Sequence, residues 1–370
     1  MPKVIVGMSG GVDSSVAAYL LKEKGYEVEG VSFLMWEAKM GAGSPSCCVL
    51  HAMDEASQTA RSMGISHRTI DVRNEFQEKV VLPFIKAYLS GLTPNPCILC
   101  NRFIKFPYLI KEAEKRGAEY ISTGHYAKVE PVKGGEQRAE SGENTQQIFS
   151  LKKGGDPKKD QSYVLYALSQ DILRKLVLPL GHYRKNDIRN IAKDVGLPAA
   201  ERSESQEICF VEDNNYSAFI EKLSPVTVNQ GPISDLGGKV IGKHKGIYGY
   251  TIGQRKGLGI SSPSPLYVIN TDIDKNTVYV GPREAAKKKE FLVGELNWII
   301  TPAAGEFRAS VKFRSTMKDE PATIYRAESR EQRALRVVFD EPQWAAAPGQ
   351  SAVFYDGDTV IGGGIIRKPV

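Results

Sequence analysis

The chain has 370 residues, 41% of them hydrophobic and 25% charged, an ordinary globular composition long enough for two or three domains with real cores. No run of about 18 apolar residues occurs, and the first residues lead directly into a strand without a basic segment and apolar stretch, so neither a membrane span nor a secretory signal is expected and the default is a cytoplasmic protein. A formal net charge of +6 is too small to mark a nucleic-acid binder by itself, and five cysteines, an odd set, argue against a disulfide scaffold and for metal, redox or nucleophilic use.

The apolar run Val4-Ile5-Val6 predicts a strand, Gly7-Met8-Ser9-Gly10-Gly11-Val12-Asp13-Ser14-Ser15 a turn, and Val16 to Gly25 a helix that stops at its glycine. Side chains at Gly10 and Gly11 would block close approach, and the first amides of a helix point outward and unpaired at its positive end. The turn therefore suits a phosphate group, with Ser9, Ser14 and Ser15 as further hydroxyl donors. The Gly-Lys-Ser/Thr ending of the P-loop is absent, and with it the lysine that reaches outer phosphates. Such a site fits a leaving pyrophosphate better than a transferred outer phosphoryl group. Two glycines alone also fit an ordinary strand-to-helix turn; Ser-Gly-Gly-x-Asp-Ser-Ser is far more specific.

A second strand is predicted over Glu27 to Trp36. As a parallel neighbour of the first it ends beside the turn, where open α/β sheets bind ligands, so Phe33 is a candidate for contact with adenine as well as for the core. Gly41 to Cys48 reads as a loop whose adjacent Cys47 and Cys48 are structural or incidental. Asp54 to Met63 is helical, Ile65 to Asp71 strand-like, and Asn74 to Ser90 an amphipathic helix interrupted by Pro83. This alternation predicts a doubly wound α/β domain. Thr93-Pro94-Asn95-Pro96-Cys97-Ile98-Leu99-Cys100-Asn101 starts as a stiff non-helical loop because of its two prolines, with Cys97 and Cys100 on or just after it. A helix near Pro107 to Arg116 leads to the strand Glu119 to Thr123, and Gly124-His125 falls at its carboxyl end, where such a sheet places ligands.

Glu130 to Asn144 is polar and glycine-rich, the mark of a surface excursion. Lys158-Lys159-Asp160-Gln161-Ser162-Tyr163 suits contacts to a sugar-phosphate backbone and precedes a helix through Leu168; Tyr183 to Gly196 is another helix. In the run Ser203 to Val211, polar residues before Cys209 and apolar ones after it describe a mobile loop leading into an element, and a lone cysteine there also fits a buried small hydrophobe. Beyond Tyr216, glycine-punctuated short runs predict a small, mostly β domain. Its segment Lys239 to Gly259 holds Lys239, Lys243, Lys245, Arg255 and Lys256 with no carboxylate, interleaved with Tyr248 and Tyr250, a mix suited to phosphate contact and base stacking. From about Glu290, evenly spaced short strands predict a β-barrel. The expected class is α/β: a doubly wound domain with a parallel sheet over 1–213, a small mostly-β central domain over 214–284 and a C-terminal β-barrel over 285–370.

Gly-Met-Ser-Gly-Gly-Val-Asp-Ser-Ser, Thr-Pro-Asn-Pro-x-x-x-Cys-Asn, Thr-Gly-His-Tyr, Lys-Asp-Gln-Ser-Tyr, Ile-Cys-Phe, Tyr-Thr-Ile-Gly-Gln-Arg-Lys-Gly-Leu-Gly and Pro-Gly-Gln-Ser-Ala-Val-Phe-Tyr together resemble the tRNA-specific 2-thiouridylase family, within the PP-loop ATP pyrophosphatases. The likeness spans nearly the whole chain, with the motifs in the family's order. It implies a PP-loop domain, a small central tRNA-binding domain and a C-terminal barrel. It also implies thiolation at C2 of the wobble uridine in tRNA: ATP adenylates the C2 oxygen, with Gly7, Met8, Ser9, Gly10, Gly11, Val12, Asp13 and Ser14 holding the departing pyrophosphate. Asp13 would help organise Mg²⁺ or cap the helix, and Phe33 and Gly124 match the family's other ATP-contacting positions.

In the family's scheme Cys209 matches the persulfide carrier, loaded by a sulfur-donor relay protein, and Cys100 the nucleophile that frees sulfur and forms a transient disulfide with Cys209. The resemblance puts Asn95, Pro96 and Cys97 against the target base, and His125, Lys159, Asp160, Gln161, Arg314, Ser315 and Gln350 at or near tRNA. Ser315 stands where many members have tyrosine, and Cys97 where many have aspartate. Three thiols, Cys97, Cys100 and Cys209, can also hold a [4Fe-4S] cluster with one iron open to sulfide, and Cys-x-x-Cys is a redox spacing as well; the persulfide route, the cluster route and an inert Cys97 all stay open. The other classes are a tRNA-independent amide-forming ATP pyrophosphatase and a non-enzymatic RNA-binding module. The expected molecule is a monomer without membrane attachment.

Overall fold

The computed structural model describes residues 1–36, 47–138, 145–201, 208–211, 215–224, 229–303, 305–326 and 334–368. The strands β1 (Lys3–Gly7), β2 (Glu27–Leu34), β3 (Ser66–Asp71) and β4 (Tyr120–Thr123) pair in parallel in the order β3-β2-β1-β4. After β4 the chain makes a hairpin, β5 (Ala127–Arg138) and β6 (Thr145–Lys153), then returns to add a short parallel strand, β7 (Leu176–Val177), beside β4. Val4, Ile5 and Val6 of β1 are wholly buried because a central parallel strand is covered on both faces. Val4 and Val6 pack with Leu21, Ala56 and Ala60 on one side, and Ile5 with Phe106, Leu109 and Ile121 on the other. The chain leaves β1 towards β2 on one side and reaches β4 on the other, so the crevice at the carboxyl ends of β1 and β4 is the topological switch point.

Two of the longer helical stretches carry a proline inside them, and both widen ahead of it. The expected Asn74–Ser90 helix starts at Arg73 and passes through a π-turn, Gln77–Val81, just before Pro83. The same device recurs where a loop carrying the cysteines was expected: Pro96–Cys100 is helical, Asn101–Lys105 is a π-turn, and Phe106–Lys115 continues the helix through Pro107. Proline lacks an N–H and its ring crowds the carbonyl four residues earlier, a conflict that the wider turn relieves. The start is helical because Asn95 caps it, its side chain accepting from the Cys97 N–H at 3.1 Å, and because proline is favoured at the first helical position. Cys97 and Cys100 thus lie on a helix, not a loop.

The polar stretch from Glu130 is also more ordered than a surface excursion. It forms β5 as far as Arg138, with a register break between Pro131 and Glu136, residues 139–144 lie outside the described residues, and β6 then pairs with the last strand, Thr359–Ile366. The central region has β8 (Gly231–Ser234), β9 (Val240–His244), β10 (Tyr267–Asp272) and β11 (Thr277–Gly281) in the order β10-β11-β8-β9 around Ile233, Val268, Val278 and Val280. Six further strands, β12 (Lys287–Trp298), β13 (Phe307–Lys312), β14 (Glu320–Arg326), β15 (Leu335–Trp344), β16 (Ser351–Asp356) and β17 (Thr359–Ile366), close on themselves through β12 and β17 around Val311, Ile324, Val337, Phe339 and Phe354. This is the expected β-barrel, with β6 joined to β17 as an extension from the first domain. Tyr163 and Tyr166 tighten the junction by hydrogen bonds to Ser351. Among the described residues no helix is long and apolar enough to cross a membrane.

Candidate active site

The glycine turn sits at the switch point, between the end of β1 and the helix Val12–Glu23, here α1. Gly10 has a φ of +76, a conformation that disfavours any side chain, and α1 starts on Gly11 with no side chain capping its first amides. An uncapped helix start at a strand's end is a donor set suited to phosphate. The serines divide their work: Ser14 and Ser15 hydroxyls donate to the Gly11 carbonyl at 3.1 and 3.0 Å, bracing the turn, while Ser9 is exposed. Ser14 and Ser15 therefore shape the cradle instead of serving simply as free donors. Gly124 presses on the turn from β4; a Cβ there would lie 2.7 Å from the Asp13 carbonyl carbon and from the Ser14 nitrogen.

Asp13 does not cap α1. Its carboxylate accepts from Lys185 Nζ at 2.6 and 2.7 Å and from the Tyr126 hydroxyl at 2.5 Å. Phe33, near the end of β2, is half-buried with its ring edge-on to Tyr108, 6.3 Å between centroids, so it both packs and keeps a surface at the crevice.

A second cluster occupies the same end of the sheet. Cys100 is 5% exposed, with its sulfur 3.7 Å from the Met35 sulfur just beyond β2. Cys97, one turn earlier, is exposed. Cys209 is held from its carboxyl side by Phe210, whose ring lies 5.6, 5.2 and 5.3 Å from those of Phe76, Phe84 and Phe219. The three cysteines are unpaired; of the run Ser203 to Val211, the residues 203–207 ahead of Cys209 lie outside the described residues, as do the side chains of Cys47 and Cys48.

Lys105 completes this cluster and is the residue that sequence reasoning missed. In a regular α-helix residues five apart point about 140° away from each other. The π-turn forced ahead of Pro107 brings Lys105 back towards the Cys100 side, where its charge acts on Cys97, Cys100, Cys209 and His125. The available signal was the pair of prolines flanking a Cys-x-x-Cys, which marks a helix under strain. Burial works against a charge on Lys105, but the Cys100, Cys97 and Cys209 sulfurs more than offset it and raise its pKa.

Burial pushes the Cys100 thiol up, with the Lys105 charge pulling against the rise and Cys97 adding to it. Cys209 keeps an exposed face yet is crowded by protein, and that crowding, followed by Cys100, drives it up to about 12 against the pull of Lys105. His125, beside Phe106 and hydrogen-bonded to Thr123 at 2.7 Å, is pushed down to about 3 by burial and then by Lys105, so its imidazole is neutral at physiological pH. At pH 7 iodoacetamide is expected to modify Cys97 well before Cys100 and Cys209. The Cys209 rate should rise about tenfold per pH unit past pH 10, whereas a free thiol levels off near its pKa of about 8.5. Peptide mass spectrometry reads this directly, and equal rates for all three at pH 7 would contradict it.

The positions expected at tRNA separate into outward and inward groups. Asn95 is a helix cap and Pro96 is buried. The Asp160 carboxylate accepts from Gly154 and Ser162 N–H groups and lies 3.6 Å from Lys312, both side chains nearly buried, so it is spent on joining the barrel to the first domain. Gln161 accepts from the Tyr126 N–H at 3.0 Å. Arg314 lies over the Trp344 ring and donates to the Trp344 and Ala345 carbonyls, while neighbouring Ser315 is exposed. Gln350 accepts from Ala347, and Lys159 is half-buried. In the central segment Tyr248 is buried with its hydroxyl donating to Glu221 at 2.8 Å, which removes it as a stacking platform. Lys243, Lys245, Arg255 and Lys256 remain exposed, and an open cavity of about 620 Å³ lies beside Arg255, Leu258 and Ser261. None of its lining residues belongs to the phosphate turn or the cysteine cluster.

Three family profiles match the chain in succession: residues 2–213 the tRNA methyl transferase HUP domain, 217–282 the tRNA methyl transferase PRC-barrel domain, and 288–366 the aminomethyltransferase beta-barrel domain. Among curated proteins, the tRNA-specific 2-thiouridylase MnmA 1 of Caldanaerobacter subterraneus subsp. tengcongensis is 47% identical, the match covering 100% of this chain and 98% of that protein. The tRNA-specific 2-thiouridylase MnmA of Clostridioides difficile is 44% identical over 99% of this chain and 98% of its own. The profile descriptions speak of methyl transfer and the full-length relatives of thiolation.

Proposed function

From the premise that this chain belongs to the tRNA-specific 2-thiouridylase family, an assignment carried by end-to-end identity with its members, we propose a division of labour between the two clusters. The activity is ATP-dependent thiolation of tRNA. Its substrate position is C2 of the wobble uridine, whose oxygen is a poor leaving group. That oxygen attacks the α-phosphorus of ATP, pyrophosphate departs into the turn Gly7 to Ser14, and the adenylated oxygen then leaves as AMP. Phe33 faces the adenine, and Gly124 keeps the turn pressed to the end of β4.

Sulfur arrives on Cys209 as a persulfide. The Cys100 thiolate attacks the Cys209 sulfur, forming the Cys100–Cys209 disulfide and releasing hydrosulfide, which adds to C2 and expels AMP. An external dithiol then reduces the disulfide. Burial opposes the thiolate that this step needs, and Lys105 supplies the counter-charge. His125, held neutral, contributes hydrogen bonding and shape instead of an imidazolium charge. The observation that carries the reading is that Lys105 acts on Cys97, Cys100 and Cys209 together, at the same end of the sheet as the phosphate turn. Magnesium would screen the phosphate charge when bound with ATP; both Asp13 oxygens are engaged by Lys185 and Tyr126, so this carboxylate is not its ready holder. Lys243, Lys245, Arg255, Lys256 and Ser315 offer the exposed surface for tRNA, with the half-buried Lys159 in the first domain, an external protein loads Cys209, and the enzyme works as a cytoplasmic monomer.

The cluster route draws on the same three cysteines. Among the described residues, however, no three His, Cys, Asp or Glu side chains stand close enough to hold a metal ion, so the trio is not a ready ligand set in this arrangement. Cys97→Asp separates the routes. It is expected to retain most thiolation, in iron-free protein; loss of both iron and activity in anaerobically prepared Cys97→Asp would favour the cluster. AMP and pyrophosphate formation that proceeds equally without tRNA would instead indicate a small-molecule ligase.

A further inference from the structure

The phosphate turn carries a carboxylate, Asp13, in the first turn of α1, where an anion is to be held. Left bare, that charge opposes phosphate binding, and the turn itself has no lysine to cancel it. The chain supplies one from far downstream. Lys185 Nζ lies 2.6 Å from Asp13 Oδ1 and 2.7 Å from Oδ2, and the Tyr126 hydroxyl donates to Oδ1 at 2.5 Å. The lysine side chain is 7% exposed and the carboxylate 33%, so the ammonium sits behind the carboxylate, on the protein side.

Lys185 is also fixed in its backbone. It opens the helix Lys185–Asp194, its N–H donates to Asp156 at 3.1 Å, and the preceding Arg184 N–H donates to Asp187 at 3.1 Å. This helix and α1 are already held together by apolar packing among Val12, Val16, Ala17, Leu180, Ile188 and Ala192. A buried lysine is a costly way to join two helices that pack well without it, since removing its charge from water has to be offset by its partner. The cost is explained if the pair serves the turn.

We infer that Lys185 is a positioning residue of the pyrophosphate site: it cancels the Asp13 charge and draws that carboxylate back, leaving the uncapped start of α1 to receive the anion. Lys185 touches Asp13 and acts on pyrophosphate through it. The inference rests on Gly7 to Ser14 being the pyrophosphate site.

The test is calorimetric titration of the full chain with inorganic pyrophosphate in the presence of a metal chelator, alongside adenosine as a probe of the fold and the base site. Lys185→Met is expected to weaken pyrophosphate binding about tenfold or more, with adenosine binding unchanged. Adding Asp13→Asn to Lys185→Met restores most of the loss, and Asp13→Asn alone, whose lysine charge is then uncompensated, binds pyrophosphate at least as tightly as the wild type. Wild-type affinity in Lys185→Met overturns the inference, as does a double variant no better than the single one. Should Lys185→Met fail to fold, weakened binding in Asp13→Asn overturns it equally. A wild-type chain that binds adenosine but no pyrophosphate overturns the reading of the turn itself.

Discussion

Cys100→Ser is expected to abolish thiolation, by about a thousandfold or more, while still releasing one pyrophosphate per enzyme when mixed with tRNA and ATP. A serine hydroxyl at this position is neither ionised near neutral pH nor able to take over the Cys209 sulfur, so the persulfide is left intact and the adenylated uridine accumulates. The phosphate turn is built from β1, α1 and β4, none of which the substitution touches. Cys100 is 5% exposed among apolar neighbours including Ile104, so a hydroxyl there costs only about 1 kcal/mol if it finds a partner and leaves the fold intact. Rapid-quench measurement of pyrophosphate against 2-thiouridine separates the two half-reactions. Loss of both together would mean that Cys100 serves adenylation or the fold instead of sulfur release.

Gly124→Ala should have the opposite signature, with adenylation failing first. The added Cβ would meet the Asp13 carbonyl carbon and the Ser14 nitrogen at 2.7 Å and the Asp13 carbonyl oxygen at 2.9 Å. These are backbone atoms and cannot rotate aside, so β4 and the start of α1 have to part. Overpacking of this kind costs about 1 to 3 kcal/mol, which for the whole chain corresponds to a fall of several degrees in Tm. Since the displaced atoms are the phosphate cradle, pyrophosphate release is expected to drop about a hundredfold, well beyond what the lost stability explains. Folded Gly124→Ala protein that adenylates tRNA at the wild-type rate would show that the contact with β4 does not set the geometry of the turn.

The parts of the molecule that were legible in the sequence depend on local chemistry. A strand, a glycine turn and a helix in immediate succession announce a phosphate cradle, and strand periodicity announces the barrel. Cys100 and Cys209 were reached because their motifs follow the family's order, although no local signal brings two residues so far apart together. What escaped depends on distant partners or on how strain is relieved. Pro94 and Pro96 read as loop signals and Pro107 as the start of a separate helix, yet Asn95 caps a helix there and a π-turn absorbs Pro107, which in turn delivers Lys105 to the cysteines. Asp160, Gln161 and Tyr248 looked available to RNA, but their polar atoms are engaged with Gly154 and Ser162, with Tyr126 and with Glu221. The polar hairpin from Glu130 hid its strands because its stabilising partner, β17, lies at the far end of the chain.

The persulfide division of labour is tested most directly by a single turnover. Full-length protein, purified free of iron and carrying one labelled persulfide on Cys209, is mixed with tRNA and ATP and quenched under acid. The expected result is one labelled 2-thiouridine, one AMP and one Cys100–Cys209 disulfide for each persulfide consumed, all absent in Cys100→Ser. Labelled 2-thiouridine formed without that disulfide, or formed only after iron is restored, would contradict it.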